Sequence, residues 1–473
     1  MSTAAAKETQ ARPGFGARGL FLSQIIKRLY RLAAMLIAAR LLGVEGFGVY
    51  ALLLTIVEMA ALISGSGYGD YLTREVAKSP ARAHGIAIRV TQIRLLYIVV
   101  AVGIMSGLLR LLSSSGVVLN AAFLSAALIP RAFSESAQGV LRGLQRFALL
   151  PWLEFFQGLV LLAAIPLFLL PGYGVRGIIA AEVISWTVAA VLATMAALKN
   201  TVASTDAPAF RGVLRSILPF NVYPFIVNVY DRVDVVLLSR FAGAFATGIY
   251  ALPYRAFSSL QIIPYGVMGA LLPGFAASAM DAEARQRCSR AMKFLYTTAL
   301  LMVLITMAFA RPAVTLILGE HFAASATALK ILIWAGIPAF LNYALNTLLL
   351  AAHREKAFLW TASICTIFNC AANILLIPRF SWVAAAAVTL LTELLLFLQN
   401  CLLVQKHFGH SVLPRHWLRI TIVFSAAFVL LMGLSRVVPE AWAGFLVCSG
   451  FALFAWLTVQ DVPEFHAMAG QSR

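Results

Sequence analysis

The chain has 473 residues, of which 61% are hydrophobic and only 12% charged, and its formal net charge is +18. A soluble chain carries about 25% charged residues, so a soluble globular protein is excluded. Apolar runs recur from end to end, each long enough to cross a bilayer as a helix, and the fold class is all-α integral membrane. In a soluble domain the basic excess would suggest nucleic acid. Here it sits mostly between the apolar runs, where it sets topology, and no nucleic-acid partner is expected.

Residues 1–18, "MSTAAAKETQARPGFGAR", are polar and lack the apolar core and cleavage site of a signal peptide. They read as a flexible cytoplasmic N-terminus. Fourteen candidate spans follow. The first seven lie near 20–42, 47–69, 87–110, 118–141, 149–170, 177–198 and 214–239. The second seven lie near 248–274, 291–318, 328–350, 357–377, 382–404, 417–437 and 441–460. With the N-terminus inside, each outward loop holds or borders one arginine: Arg40, Arg110, Arg176, Arg240, Arg311, Arg379 and Arg436. Arg131, Arg232, Arg255 and Lys330 lie within spans, and the other basic residues fall toward the inward loops and the termini. That asymmetry places both termini in the cytoplasm.

The stretch "RLLGVEGFGVYAL" (40–52) returns in weakened form as "RFAGAFATGIYAL" (240–252). Arg40, Gly43, Gly48, Tyr50, Ala51 and Leu52 align with Arg240, Gly243, Gly248, Tyr250, Ala251 and Leu252. Spans one to six and seven to twelve therefore read as two copies of a six-span unit. Six is even, so the copies share an orientation, which is a transporter architecture. The expected organisation is an N-lobe over 19–200, a cytoplasmic linker over 201–212, a C-lobe over 213–406, two added spans over 407–462 and a tail over 463–473. The repeated glycines read as tight, close-packed turns.

Charges inside a membrane cost about 2.5–3.5 kcal/mol even on lenient scales and so tend to face a cavity. Gln24, Lys27, Arg28 and Arg31 share one helical face of span one. Arg31 lies roughly 14 Å inward of Arg40, too deep for snorkelling to explain well. At the repeat offset its counterpart is Asp231, in a span that also holds Arg232 and Asp234. Arg131 and Glu135 form an i,i+4 pair, with structural pairing and cavity lining both open. Glu154, Glu182 and Glu393 lie on apolar helices and are expected to be paired or near an interface. Asn342/Asn346 and Asn369/Asn373 form polar ridges suited to interhelical hydrogen bonds or to sugar contact.

The five cysteines lack metal-type spacing and read as free thiols, and the pair in "HFGH", His407 and His410, has no cysteine or carboxylate nearby. No Ser/His/Asp set, phosphate loop or dinucleotide fingerprint appears. Enzyme activity, ATP use, a metal and a cofactor are not expected.

"ARLLGVEGFGVYALLLT" followed by "GYGDYLTREVAK" resembles the N-terminal signature of the bacterial polysaccharide flippases, which carry O-antigen or exopolysaccharide repeat units. Their superfamily includes the multidrug and toxin extrusion transporters and the lipid II flippases. "YDRVDVVLLSRFAGAFATGIYALPYR" resembles the matching second-lobe stretch, without the acidic residue of the first turn. The likeness covers about residues 18–280. It implies two six-helix lobes around a central cavity in the cytoplasmic (inner) membrane. It also implies transfer of an undecaprenyl-diphosphate-linked oligosaccharide to the outer leaflet by alternating access.

On that reading Arg28, Arg31, Arg131, Arg232 and Arg255 are the candidate cations for a diphosphate or acidic sugar. Asp231, Asp234 and Glu135 are the candidate coupling or gating carboxylates. Asp231 or Asp234 would carry a coupling proton or pair with Arg31 in one state. A proton or sodium ion, membrane lipids, a polysaccharide polymerase and glycosyltransferases are the expected partners. The alternatives are a cation-coupled drug exporter, kept alive by Asp231 and Asp234, and a lipid II flippase. A glycosyl-transfer enzyme would need a large outer loop, and every outer loop is short.

Overall fold

Hydrocarbon offers no partner to backbone N–H and C=O groups, so an apolar chain in lipid satisfies them internally as helix. The computed structural model describes residues 13–65, 67–112, 115–202, 204, 206–217, 232–277, 282–352, 354–408 and 417–459, which contain helices and no strand. Most of the expected seventh span, with Asp231, lies outside the described residues, as do residues 1–12 and 460–473. The chain divides into two compact units, Met1–Gly248 and Ile249–Arg473.

The first unit holds α1 (Pro13–Gly65), α2 (Tyr68–Lys78), α3 (Ala83–Leu112), α4 (Ser115–Ser125), α5 (Leu128–Gly143), α6 (Leu150–Leu169), α7 (Gly174–Lys199) and the start of α8 (Val233–Leu260). Helix α1 breaks at Gly43, where φ is 68° and ψ is −179°. Glycine alone adopts that region readily, and the break turns one long helix into two arms. The first arm packs on α6 and the second on α3 and α4. Leu53, Ile56, Val57, Ile98 and Leu124 form the core beneath the second arm. A second core joins α2, α3, α5, α6 and α7 through Tyr68, Leu72, Ile93, Leu141 and Leu153.

The expected fourth span is broken between α4 and α5. Pro130 has no N–H to give the carbonyl of Ala126, and its ring crowds that carbonyl. The chain closes instead with a short turn, Ala127 N–H to Leu124 O at 3.0 Å, before Arg131 N–H reaches Ala127 O at 3.1 Å. This break sets the start of the helix that carries Arg131 and Glu135.

The second unit continues α8 and adds α9 (Ile262–Ala277), α10 (Ala282–Leu318), α11 (Ala323–Ala351), α12 (Glu355–Phe408), α13 (Trp417–Leu434) and α14 (Glu440–Val459). Its core runs through Met292, Leu295, Phe340, Leu348 and Val404. Helices α13 and α14 join it through rings: Phe424 and Phe428 stand 6.0 and 5.6 Å from Trp334, and Phe451 stands 6.1 Å from Phe424.

Eleven helices among the described residues are long and apolar enough to cross a membrane. The three longest stretches, Arg18–Leu62, Val233–Gly269 and Leu359–His407, contain the breaks at Gly43, Gly243 and Ser381. Each is two helices across its break, and each break falls where the sequence places a loop between spans. Gly243 (φ 83°, ψ −178°) has nearly the backbone conformation of Gly43, two hundred positions earlier. The repeat seen in the sequence is thus a repeat of backbone geometry.

Candidate functional site: a cation cluster in the first unit

Two buried carboxylates organise the cluster. Glu182, on α7, is 2% exposed. It accepts two hydrogen bonds from Arg31 Nη1, at 2.7 Å through Oε1 and 2.9 Å through Oε2. The Tyr50 hydroxyl donates to the same Oε1 at 2.9 Å. Glu154, on α6 and also buried, accepts from the Tyr30 hydroxyl at 3.2 Å and lies 3.8 Å from Lys27 Nζ. The first arm of α1 therefore meets α6 and α7 through charge, and the second meets α7 through the Tyr50 hydroxyl.

A third carboxylate, Glu135, lies between two arginines. Its Oε1 accepts from Arg131 Nε at 2.8 Å and its Oε2 from Arg94 Nη2 at 2.5 Å. Arg94 is buried and also donates from Nη1 to the carbonyl of Ala132 and the hydroxyl of Ser136, both at 3.2 Å. Trp186, one turn after Glu182, forms the floor of the cluster. Arg131, Arg31 and Lys27 stand 5.1, 5.3 and 6.0 Å from its ring centre. An indole face attracts cations more strongly once water is excluded.

Two features make this a candidate binding surface. Four cations (Lys27, Arg31, Arg94, Arg131) face three carboxylates (Glu135, Glu154, Glu182), which leaves one positive charge over. Moreover, Arg31 meets Glu182 through Nη1 alone, and Arg131 meets Glu135 through Nε alone. Both side chains, and that of Lys27, keep about a quarter to a third of their surface open. Neither guanidinium thus spends its paired nitrogens on its carboxylate, and a guanidinium edge matches the paired oxygens of a phosphate or carboxylate.

The structure thus brings together Arg31, Arg131 and Glu135 from the sequence-predicted set. Arg28 is part-buried, one residue from Lys27, and has no ion-pair partner among the described residues. Arg232 is elsewhere, paired with Glu58 on the second arm of α1. Asp234 is buried at the start of α8, where its Oδ1 accepts from Val235 N–H at 2.7 Å. Arg255 is part-buried on α8, in the second unit. Arg31 takes Glu182 as its partner here, and Asp231 lies outside the described residues. Sequence reasoning gave no site role to Arg94, Trp186, Tyr30, Tyr50 or Glu58, and it left Glu154 and Glu182 without partners. The signal available was the i,i+4 pair Glu182–Trp186, a carboxylate and an indole on one face of an apolar helix.

The second unit has a counterpart built mostly of amides around one carboxylate. Asn342 donates to Glu393 Oε2 at 3.0 Å, and Asn400 to the side-chain oxygens of Asn342 and Asn346, both at 3.1 Å. Across the two arms of α12, Asn369 donates to Thr392 at 3.3 Å, and within the first arm Asn373 donates to Asn369 at 2.9 Å. The two asparagine ridges do form interhelical hydrogen bonds. No group of three or more His, Cys, Asp or Glu among the described residues is placed to hold a metal.

A family model described as "Polysaccharide biosynthesis protein" matches residues 16–279, more than half of the chain. The chain belongs to this family. None of the curated proteins compared matches it. A lipid II flippase MurJ in an inward closed conformation is similar in structure, with a TM-score of 0.71 and 14% identity over 93% of this chain and 99% of that one. An inward-facing multidrug resistance MATE transporter of the MOP superfamily has a TM-score of 0.66 and 15% identity, over 83% of this chain and 99% of that one. This polysaccharide biosynthesis protein therefore shares its fold with flippases and exporters alike, and the fold does not choose between them.

Proposed function

We propose that this protein carries an undecaprenyl-diphosphate-linked oligosaccharide from the inner to the outer leaflet of the cytoplasmic membrane by alternating access. The partly open guanidinium groups of Arg31 and Arg131 over Trp186 carry the proposal. A diphosphate needs fixed, forked donors in a site screened from bulk water, and these two arginines supply them. Lys27 and Arg28, on the same face of α1, add charge at the approach. Glu182 and Glu135 hold the two arginines in place, so Glu135 serves as a positioning carboxylate. Asp231 and Asp234 remain the proposed coupling groups for a proton or sodium ion. Arg232 and Arg255 are proposed to act on the glycan or on the path, apart from the first cluster. A chain of this family would hand its cargo to a polymerase after glycosyltransferases have built it. The proposal includes cytoplasmic termini and no enzymatic step.

The test is the level and leaflet of lipid-linked glycan in a deletion strain, complemented with the wild type, Arg31→Ala or Arg131→Ala. Accumulation on the cytoplasmic leaflet in the deletion and in both variants is the expected result. Unchanged glycan with raised sensitivity to cationic drugs would replace the proposal with the exporter reading.

A further inference from the structure

Helices α3, α5 and α7 leave an apolar groove of about 230 Å³ between them, within the first unit. His84, Ile88 and Leu95 of α3 form one wall, Thr194 and Leu198 of α7 the other, and Ala137 of α5 part of the floor. The α3 residues recur at helical spacing along a single face. From His84 to Leu95 that wall is about 16 Å long at the helical rise. One leaflet takes half of the roughly 30 Å hydrocarbon core, so the groove is about as long as a leaflet is deep. Its volume falls below the roughly 300–1,000 Å³ of pockets for drug-sized ligands, which leaves room for one extended chain.

The end toward the start of α3 is positively charged. Arg89 donates from Nη1 to Gln92 Oε1 at 3.3 Å, and Gln92 lines the groove, so the guanidinium stands at the rim. Its Nε donates to the carbonyl of Pro208 at 3.1 Å. No carboxylate pairs with Arg89 among the described residues. Arg82 is different, since Asp206 neutralises it at 2.7 Å. The same end is closed by the chain that leaves α7. Thr201 lines the groove, and a Cβ on Gly85 would stand 2.4 Å from the carbonyl oxygen of Asp206.

We propose that this groove holds one acyl chain of an anionic glycerophospholipid, with the lipid phosphate at Arg89 and His84. An apolar slot of leaflet length with an unneutralised cation at one end matches a lipid with a negative head. The site borders the cation cluster without being part of it. Ser136 lines the groove and accepts from Arg94 at 3.2 Å, the arginine that holds Glu135. The bound lipid therefore packs against the outer side of that arginine's support, whatever cargo the cluster takes.

The experiment reconstitutes the full chain in phosphatidylcholine vesicles containing phosphatidylglycerol with a diazirine on its acyl chain. After irradiation, labelled positions are mapped by peptide mass spectrometry. Labelling should concentrate on the groove residues of α3, α5 and α7, above that at Leu316, an exposed residue of α10. Unlabelled phosphatidylglycerol should compete in the groove, and extra phosphatidylcholine should not. Arg89→Gln should cut the preference for phosphatidylglycerol about fivefold, the worth of one basic residue at an anionic surface. Thr194→Phe, which fills the groove, should abolish labelling there and leave Leu316 unchanged. Groove labelling no higher than at Leu316 in the wild type overturns the site. Equal competition by phosphatidylcholine overturns the anionic headgroup, and stronger competition by undecaprenyl phosphate overturns the glycerophospholipid. None of these readouts follows glycan export, so the lipid site and the flippase reading fail separately.

Discussion

Removing Arg31 and removing Glu182 should damage the protein unequally, although the two side chains share one ion pair. The Glu182 side chain is 3% exposed, whereas that of Arg31 is 24% exposed. Arg31→Ala leaves a carboxylate sealed in the helix bundle with only the Tyr50 hydroxyl bound to it. Losing one partner of a buried pair costs about 3–5 kcal/mol. Glu182→Gln leaves a cation that still reaches open space and still lies over Trp186 and Tyr30. The new amide oxygen can keep the Tyr50 hydrogen bond, so this loss should be about 1–2 kcal/mol. The double variant Arg31→Ala/Glu182→Gln removes the stranded charge. It should be more stable than Arg31→Ala alone, by about 2 kcal/mol. Thermal unfolding of the purified protein in detergent gives the rank order. A double variant no more stable than Arg31→Ala would show that burial of Glu182 does not control the energetics of the cluster, and the argument would fail.

Gly43→Ala should cost about 1–3 kcal/mol for backbone strain at φ 68°, ψ −179°, although the site has room for the methyl group; the same unfolding assay reads it. Arg82→Ala breaks an ion pair with Asp206 whose side chains are 45% and 64% exposed, so it should cost under about 1 kcal/mol and weaken no further when salt is added. Asn400→Leu removes two hydrogen bonds that join α12 to Asn342 and Asn346 on α11. At about 0.6 kcal/mol for an average bond in a membrane bundle, a loss of about 1 kcal/mol is expected, visible as a lowered melting temperature. Exchanging charges, with Arg31→Asp and Asp231→Arg together, should restore transport above either single change if the two residues pair directly in another state; a glycan-export assay decides it.

Much of the scaffold was legible because its signals are local. Apolar length gives helices, and a glycine placed at the same offset in two copies gives the same backbone break at Gly43 and Gly243. Depth along one helix was enough to place Arg31 among the candidates. Its partner was not legible, since Glu182 lies 151 residues away and helical spacing says nothing about which helices adjoin. Arg94 was hidden for a different reason. It looks like one more inward basic residue, and only the packing of α3 on α5 shows it buried against Glu135. The break before Arg131 was visible as Pro130 and could have been read directly.

Tyr50 and Tyr250 occupy the same place in the two copies, and both reach across to the last helix of their own copy. Tyr50 meets Glu182, while Tyr250 pairs with the hydroxyl of Thr389 at 3.1 Å. The repeat thus sets two identical handles on different partners. At the joints, backbone geometry admits only glycine readily, so both copies carry the same residue there. At the far end of each tyrosine a carboxylate and a hydroxyl serve equally well as acceptor. The same handle thus ends on an ion pair in one copy and on a neutral hydroxyl in the other, so the repeat fixes where each tyrosine sits and leaves the charge of its partner free to differ.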